Sequence, residues 1–267
     1  MKKTIQILIL GIILTACKNE QKDAESLAAA NTSIEKVKNK VAPSLEDFTI
    51  NPIEHASMVL NWDGTIIYVD PVGGPELFSK YTEPSLILLT DIHGDHLDIA
   101  TLETIATEKT SIIAPQAVFE KLPKALQDKT EVIKNGGNTK VLEIEIEAIP
   151  MYNLRPEALK FHEKGRGNGY ILEKNGKRVY ISGDTEDIPE MRNLNNIDIA
   201  FICMNLPYTM TVEKAAEAVL DFQPKTVYPY HYRGENGLSD IAKFKSLVEA
   251  GNNEIKVTQL DWYPNKK

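Results

Sequence analysis

Beyond residue 47 the chain alternates short apolar runs with turn signals, and stretches with helical spacing lie between them. Short uninterrupted apolar runs are typical of buried strands, and they occur in TIIYVD, PSLILLT, TSIIAP, NIDIAFICMN and KTVYPYHY. The stretch KVLEIEIEAIP alternates apolar and polar residues, which predicts one half-buried antiparallel strand. Asp63-Gly64 and Asn175-Gly176 predict tight hairpin turns.

Apolar residues recur at helical spacing in three longer stretches: HLDIATLETIA, TVEKAAEAVLDF and SDIAKFKSLVEAG. Thr211 suits the N-cap of the second helix, and Gly251 is expected to end the third. The chain contains neither an internal repeat nor a second linker. The pattern therefore predicts one domain of mixed sheets with helices packed outside them.

The first residues differ from the rest of the chain. Residues 1–16 combine two lysines with a short apolar run, as a secretory signal peptide does. The sequence LTAC then resembles a bacterial lipobox, which predicts cleavage before Cys17 and acylation of that residue. The alternative is a plain signal peptide followed by a chance cysteine. Residues 17–46 are polar and alanine-rich, and are expected to form a flexible tether before a domain at 47–267.

Composition narrows the class of protein. The chain has 267 residues, of which 42% are hydrophobic and 25% charged, so one large α/β domain or two small ones are possible. The net charge of −8 argues against a broad nucleic-acid surface, because phosphate binding needs clustered basic residues. Export and acylation would place the protein in a bacterial cell envelope, anchored to a membrane. Cys203, in an apolar run, is expected to be a small buried residue.

Ionisable side chains follow directly after several predicted strands. They are Asp91, His93, Asp95 and His96 after one strand, Asp184 and His231 after two others, and His55 at the edge of a fourth. Strand ends at one rim of a sheet can converge on one pocket. Clustered carboxylates need a cation to neutralise them, and imidazole with carboxylate is a donor set that zinc and manganese accept.

The spacing of these residues suggests two ions. Asp91 and His93 can point to one ion while Asp95 and His96 point to another, because Gly94 keeps the loop tight. If both ions share Asp184, the site is binuclear and can lower the pKa of a water molecule. Asp70, in the sequence VDP, is expected to hydrogen-bond the backbone or to orient a ligand histidine.

These motifs resemble the metallo-β-lactamase fold of metal-dependent hydrolases, and are closest to the branch that includes ascorbate-phosphate lactonases. DIHGDH is similar to the family's His-x-His-x-Asp-His signature, SGDT to its bridging aspartate, and YPYHY to its last histidine. The resemblance covers residues 48 to the C-terminus. It implies an α/β (α+β) fold, a four-layer αββα sandwich with the metal pocket at one edge.

Two positions depart from the family signature. Asp91 stands where the signature has its first histidine, and Asn153 is the best candidate for the lone histidine expected after AIP. The resemblance then implies that Asp91, His93, Asn153 and Asp184 hold one ion, and that Asp95, His96, His231 and Asp184 hold the other. His162 is the alternative to Asn153. Zinc is the favoured metal; manganese, iron or one empty site are the alternatives.

The implied activity is hydrolysis of a small ester, lactone, amide or phosphodiester by metal-activated water. Asp95 would orient or deprotonate the nucleophile, and it is the candidate catalytic residue. The candidate substrate-binding residues are His55, His162, Arg166, Asn205 and Tyr208. Each also has a structural interpretation: His162 and Arg166 as residues of a solvated surface loop, Asn205 and Tyr208 as cap and turn residues, and His55 as a structural histidine at a strand start. The rival hypothesis is a non-catalytic envelope lipoprotein that binds a metal or ligand, which the two departures from the signature motivate.

Overall fold

The computed structural model describes residues 48–264. The predicted signal peptide at 1–16, Cys17 and the whole predicted tether to residue 46 lie outside this range. The helices are α1 (Ile99–Ile105), α2 (Gln116–Phe119), α3 (Lys124–Gln127), α4 (Pro189–Arg192), α5 (Val212–Phe222) and α6 (Ile241–Gly251), with one 3-10 helix at Pro75–Phe78. In the described part of the chain, none of the helices is both long enough and apolar enough to cross a bilayer.

The strands form two large sheets and one small hairpin. The first sheet has the order β1 (Phe48–Glu54), β2 (Ser57–Trp62), β3 (Thr65–Val69), β4 (Leu86–Leu88), β5 (Ser111–Ala114) and β6 (Thr130–Val132). The second has the order β15 (Lys256–Val257), β12 (Thr226–Tyr230), β11 (Ile199–Cys203), β10 (Lys177–Ile181), β9 (Gly167–Lys174), β8 (Ile144–Met151) and β7 (Asn138–Val141). The hairpin pairs β13 (Arg233–Gly234) with β14 (Gly237–Leu238).

Alternate residues of the first sheet enter two different cores. One set faces the second sheet and joins the larger core; it includes Met58, Leu60, Ile67, Val69, Leu86 and Leu88. The intervening residues pack with the apolar side chains of α1 to α3; they include Val59, Tyr68, Ile87 and Ile112. Because successive side chains of a strand point to opposite faces, this sheet is covered on both sides.

The outer helices of the second sheet complete the four layers. Thr211 caps α5 as predicted, since its side chain accepts a hydrogen bond from Lys214 N. The buried face of α5 carries Ala215, Val219 and Phe222 into the larger core. The α/β sandwich implied by the sequence is therefore confirmed, with helices outside two facing sheets.

One local prediction needs correction. The stretch KVLEIEIEAIP is not one strand but the pair β7 and β8, because the chain turns at Leu142, where φ is +55°. None of the usual turn residues marks that position. Gly251 is the last residue of α6, as predicted, and Asn252 follows as its C-cap. A Cβ at Gly251 would lie 2.6 Å from the Leu220 side chain, so this glycine lets α6 lie close to α5.

The carboxyl ends of parallel strands meet where the two sheets approach each other. β10, β11 and β12 run parallel, as do β3, β4 and β5 in the other sheet. Asn168 N donates a hydrogen bond to Thr90 O (3.0 Å), which joins the end of β4 to the second sheet. A Cβ at Gly167 would lie 2.8 Å from Thr90 O, so glycine permits this close approach. The ionisable side chains gather at this edge.

Candidate metal centre

The loop after β4 is a tight turn that carries four ionisable side chains. The backbone N–H groups of His96 and Leu97 both donate to His93 O (3.0 and 2.9 Å), so the loop coils before α1 begins. Asp91 and His96 are fully buried, whereas the side chains of His93 and Asp95 are about two-fifths exposed. The turn therefore directs two side chains into the protein and leaves two others at the surface of a cavity.

The first donor set consists of Asp91, His93, His162 and one oxygen of Asp184. His93 Nδ1 lies 2.5 Å from Asp91 Oδ2, and His162 Nε2 lies 3.9 Å from the same oxygen. His162 Nε2 is also 3.2 Å from Asp184 Oδ2. One potential ligand atom from each of Asp91, His93 and His162 falls within 4.8 Å of the others, which is close enough for one ion to contact all three.

The second donor set consists of Asp95, His96, His231 and Asp184. The Nε2 atoms of His96 and His231 are 3.1 Å apart. Asp184 Oδ2 lies 3.4 Å from His96 Nε2, and Asp184 Oδ1 lies 3.4 Å from His231 Nε2. Asp95 Oδ2 is 3.4 Å from His231 Nε2. Asp184 thus contacts histidines of both donor sets, at the position expected of a shared ligand.

Hydrogen bonds at the outer nitrogens fix the orientation of two rings. His96 Nδ1 donates to Asp70 Oδ2 (2.9 Å), as the sequence predicted for Asp70, and Thr90 N donates to Asp70 Oδ1 (2.8 Å). His162 Nδ1 donates to Tyr208 O (3.1 Å). Because Nδ1 is engaged in these hydrogen bonds, each ring directs Nε2 toward Asp184, and Nε2 is the nitrogen available to a metal ion.

Burial and opposite charges act against each other in this cluster. Burial alone would raise the pKa of Asp184, but His231 and His96 outweigh burial and hold that pKa well below its usual value. Burial would lower the pKa of His96, but Asp184 and Asp70 raise it well above 6.5. For Asp91, the hydrogen bond from His93 and nearby histidines overcome burial and lower the pKa to about 2. The carboxylates therefore stay ionised and need positive charge beside them.

Divalent ions fit these donor sets. Asp184 Oδ1 is buried and accepts no hydrogen bond from any residue between 48 and 264. The Nε2 atoms of His96 and His231 lie 3.1 Å apart beside it. A buried oxygen without a partner is costly. Nitrogen and oxygen donors at this spacing satisfy one another around a metal such as zinc or manganese.

A cavity of about 420 Å³ opens onto both donor sets. Its lining residues are His55, His93, Asp95, Phe161, His162, Asp184, Asn205, Tyr208, Arg233 and Gly234. The rings of Phe161 and Tyr208 pack edge to face, with centroids 5.2 Å apart, and form an apolar wall. The cavity therefore offers a small molecule both polar and apolar contacts next to the candidate metal site.

Known proteins are similar to this chain in sequence and in fold. Residues 65–232 match the family described as "Beta-lactamase superfamily domain". A UPF0173 metal-dependent hydrolase from Thermococcus onnurineus is 30% identical over 191 residues, which cover 68% of this chain and 84% of the relative. The chain belongs to this UPF0173 family of metal-dependent hydrolases, in the metallo-β-lactamase superfamily. Another member, from Pyrococcus abyssi, is 29% identical over 205 residues, covering 73% of this chain and 89% of that one.

Solved structures agree with the assignment to the metal-dependent hydrolases. A protein from Parabacteroides distasonis, described as a metal-dependent hydrolase, is 42% identical; the match has a TM-score of 0.71 and covers 79% of this chain and 92% of that one. Igni18, a metallo hydrolase from Ignicoccus hospitalis, is 24% identical with a TM-score of 0.67, covering 80% and 95% of the two chains. The second match shows the shared fold alone.

Asn153, a predicted ligand of the first donor set, lies behind its alternative, His162, in this UPF0173 hydrolase. Its Nδ2 donates to the carbonyl oxygens of Ala158 (2.9 Å) and Tyr208 (2.7 Å), and lies 3.3 Å from His162 Nδ1. The chain after Asn153 folds back until Asn153 N donates to His162 O (2.9 Å). His162 therefore stands beside Asp91 and His93, and Asn153 supports it from behind. The family signature places this histidine directly after the strand, whereas here the returning loop separates the strand end from His162. The spacing therefore did not predict its position.

The candidate substrate residues have different surroundings. Arg166 pairs with Asp91 and is not among the residues that line the cavity. Asn205 lines the cavity, with Nδ2 3.3 Å from His231 Nδ1, and Tyr208 lines it as well. His162 belongs to the first donor set, although it also borders the cavity.

His55 lies at the cavity edge within reach of Asp95 and His231. Its Nδ1 lies 3.1 Å from the Tyr263 hydroxyl, and its Nε2 faces Arg233. Burial, followed by the charges of His231 and Arg233, lowers its pKa to about 4, so His55 is neutral near pH 7. With both ring nitrogens engaged, His55 is suited to contacting a substrate or supporting His231 rather than to binding an ion.

Two cavity residues had little or no signal in the sequence. Phe161 precedes His162 in a polar loop and was not identified. Arg233 pairs with Glu54 Oε1 (3.3 Å) and lies over the Tyr263 ring, 5.1 Å from its centroid. Its partners are some 180 and 30 positions away in the chain, so no local pattern could reveal them.

Proposed function

We propose that this hydrolase binds two divalent ions, one in each donor set, with Asp184 shared between them and zinc as the native metal. The position of Asp184 between the two histidine pairs carries this proposal. His162 makes the two sets alike, since each contains two imidazoles and one carboxylate besides Asp184. Manganese and iron are the alternatives, because carboxylate oxygens accept both.

The bound ions would supply Lewis acidity, which lowers the pKa of water and stabilises negative charge that develops on a substrate oxygen. The chain's own contribution is positioning. Asp95 is held by His231 and reaches the cavity, where it can orient the attacking water by accepting a hydrogen bond. Burial would raise the pKa of Asp95, but the hydrogen bond from His231 and nearby positive charges keep it below the usual value, so it remains an acceptor.

The proposed substrates are small esters, lactones, amides or phosphodiesters. The cavity is open at the surface and large enough for a compact molecule. Asn205 and Tyr208 would hold the substrate's polar groups, and His55 would contact it from the opposite side. An ascorbate-phosphate-lactonase-like substrate within this range rests on the motif resemblance alone. The rival hypothesis of a non-catalytic binder loses its main support, because His162 provides the imidazole that the signature lacked.

Asp95→Asn tests the proposed activity. We expect the variant to keep both ions through its remaining ligands, while turnover falls by about 100-fold or more because the attacking water loses its acceptor. Turnover would be measured on a panel of esters, lactones, amides and phosphodiesters, with metal content measured in parallel. Asp98→Asn is the matched control, because Asp98 lies in the same loop but caps α1. Unchanged turnover in Asp95→Asn, or no turnover of the whole panel by the fully loaded native protein, would contradict the proposal.

We further propose that the protein is exported and anchored through acylated Cys17 in a bacterial envelope. The lipobox-like LTAC sequence and the apolar segment before it support this. Labelled palmitate should be incorporated into the native chain, and Cys17→Ala should abolish the label and release the protein from the membrane fraction. Labelling that persists in Cys17→Ala would refute acylation at this position.

A further inference from the structure

The two donor sets have the same ligand types but different surroundings. Arg166 extends its guanidinium to Asp91, with Nε 3.3 Å from Oδ1 and Nη2 3.2 Å from Oδ2. The corresponding carboxylate of the second set, Asp95, forms ion pairs with His96 and His231, and with no lysine or arginine of residues 48–264. An arginine therefore pairs directly with a carboxylate of the first set, whereas Arg233, near the second set, contacts His55 and pairs with Glu54.

The pair is built into the protein rather than formed at its surface. The Asp91 side chain is fully buried, and the Arg166 side chain is 17% exposed. Arg166 Nη2 also donates to Phe161 O, which holds the guanidinium in place. Because both oxygens of Asp91 face the fork of Arg166, the carboxylate has a fixed orientation, with Oδ2 also next to His93.

We infer that Arg166 is a positioning residue that neutralises Asp91 and so makes the first donor set the weaker of the two metal sites. An ion bound to Asp91 Oδ2 would lie within about 5 Å of the guanidinium, where a mostly buried positive charge repels it with little screening. In the second set, no lysine or arginine of residues 48–264 pairs with Asp95, so this set fills first and keeps its ion longer. This inference rests on the proposed two-ion function.

The test measures both metal dissociation constants of the full chain by zinc competition with a chelator. In Arg166→Gln the dissociation constant of the more weakly bound ion should fall by at least about tenfold, so that this ion binds more tightly. The reason is that the repulsion is removed while Asp91 remains. Arg166→Lys keeps the charge, so its dissociation constant for the more weakly bound ion should equal that of the native protein. Arg178→Gln is the matched control, because Arg178 is similarly buried and pairs with Glu147 and Glu173, away from both donor sets.

A second variant identifies the site that responds. His162→Gln removes a ligand of the first set, and the one ion that remains tightly bound should belong to the second set. In the double variant His162→Gln/Arg166→Gln, the dissociation constant of this remaining ion should be the same as in His162→Gln alone. Suppose that two ions bind and that Arg166→Gln leaves the dissociation constant of the more weakly bound ion unchanged or raises it. In that case the role of Arg166 is refuted and the two-ion function stands. If no ion binds at all, both are refuted.

Discussion

Asp184→Asn should reduce the bound metal from two ions per chain to at most one and lower turnover by more than about 100-fold, a larger loss than removal of an outer-shell partner causes. The Asp184 side chain is almost completely buried, and its two oxygens contact histidines of both donor sets. An amide of the same shape offers one oxygen, one nitrogen that cannot bind a cation, and no negative charge. Both ions would therefore lose a ligand at once.

Elemental analysis of Asp184→Asn after dialysis, together with turnover at saturating metal, would measure this effect. Asp198→Asn is the matched control, since Asp198 is also a buried aspartate but bonds Lys225 (2.7 Å) and Arg178 N (2.9 Å) at the far end of β10. The control should keep both ions. Two tightly bound ions in Asp184→Asn would show that the carboxylate is not shared.

Removing the metal should lower the melting temperature by about 10 to 20 °C. Two ions at a hundred times their dissociation constants contribute about 5 kcal/mol, and each kcal/mol shifts a domain of this size by roughly 2–4 °C. The reason is local: metal-free protein leaves Asp184 Oδ1 buried without a hydrogen-bond partner among residues 48–264.

The size of this shift should grow as pH rises. In metal-free protein, Asp184 and Asp70 raise the pKa of His96 above 6.5 despite burial. A raised folded-state pKa means that protonated His96 stabilises the metal-free protein fully below pH 6.5, and that this contribution is lost as pH rises through the raised value. Protons also compete with metal for His96 at low pH.

Melting curves of chelated and reconstituted protein at pH 6 and pH 8 would check both expectations. We expect the larger difference at pH 8. A melting temperature that chelation does not change, or a difference that is larger at pH 6, would contradict the account of how the cluster is stabilised.

The sequence predicts those parts of the site that depend on local order. Asp91, His93, Asp95 and His96 follow one buried strand, so their proximity requires only a tight turn. Asp184 and His231 were predictable because the carboxyl ends of parallel strands meet at one edge of a sheet. The turn at Asn175-Gly176 was equally local, since both residues have positive φ there.

Other features depend on contacts that no local pattern records. His162 reaches the first donor set because the loop after Asn153 folds back on itself, and loop length conceals this from a spacing argument. Arg166 pairs with Asp91, which lies 75 positions away in the sequence. Leu142 turns the chain in a left-handed conformation that leucine seldom adopts, so strict alternation was read as one strand rather than two.

The most direct test of the central claim is to locate the metal by anomalous X-ray scattering in crystals of protein purified without added chelator. The account predicts two peaks separated by the Asp184 carboxylate, one next to His93 and His162 and the other next to His96 and His231, each within about 2 Å of a histidine nitrogen. Crystals soaked in excess zinc that show no peak between His96, Asp184 and His231 would contradict it.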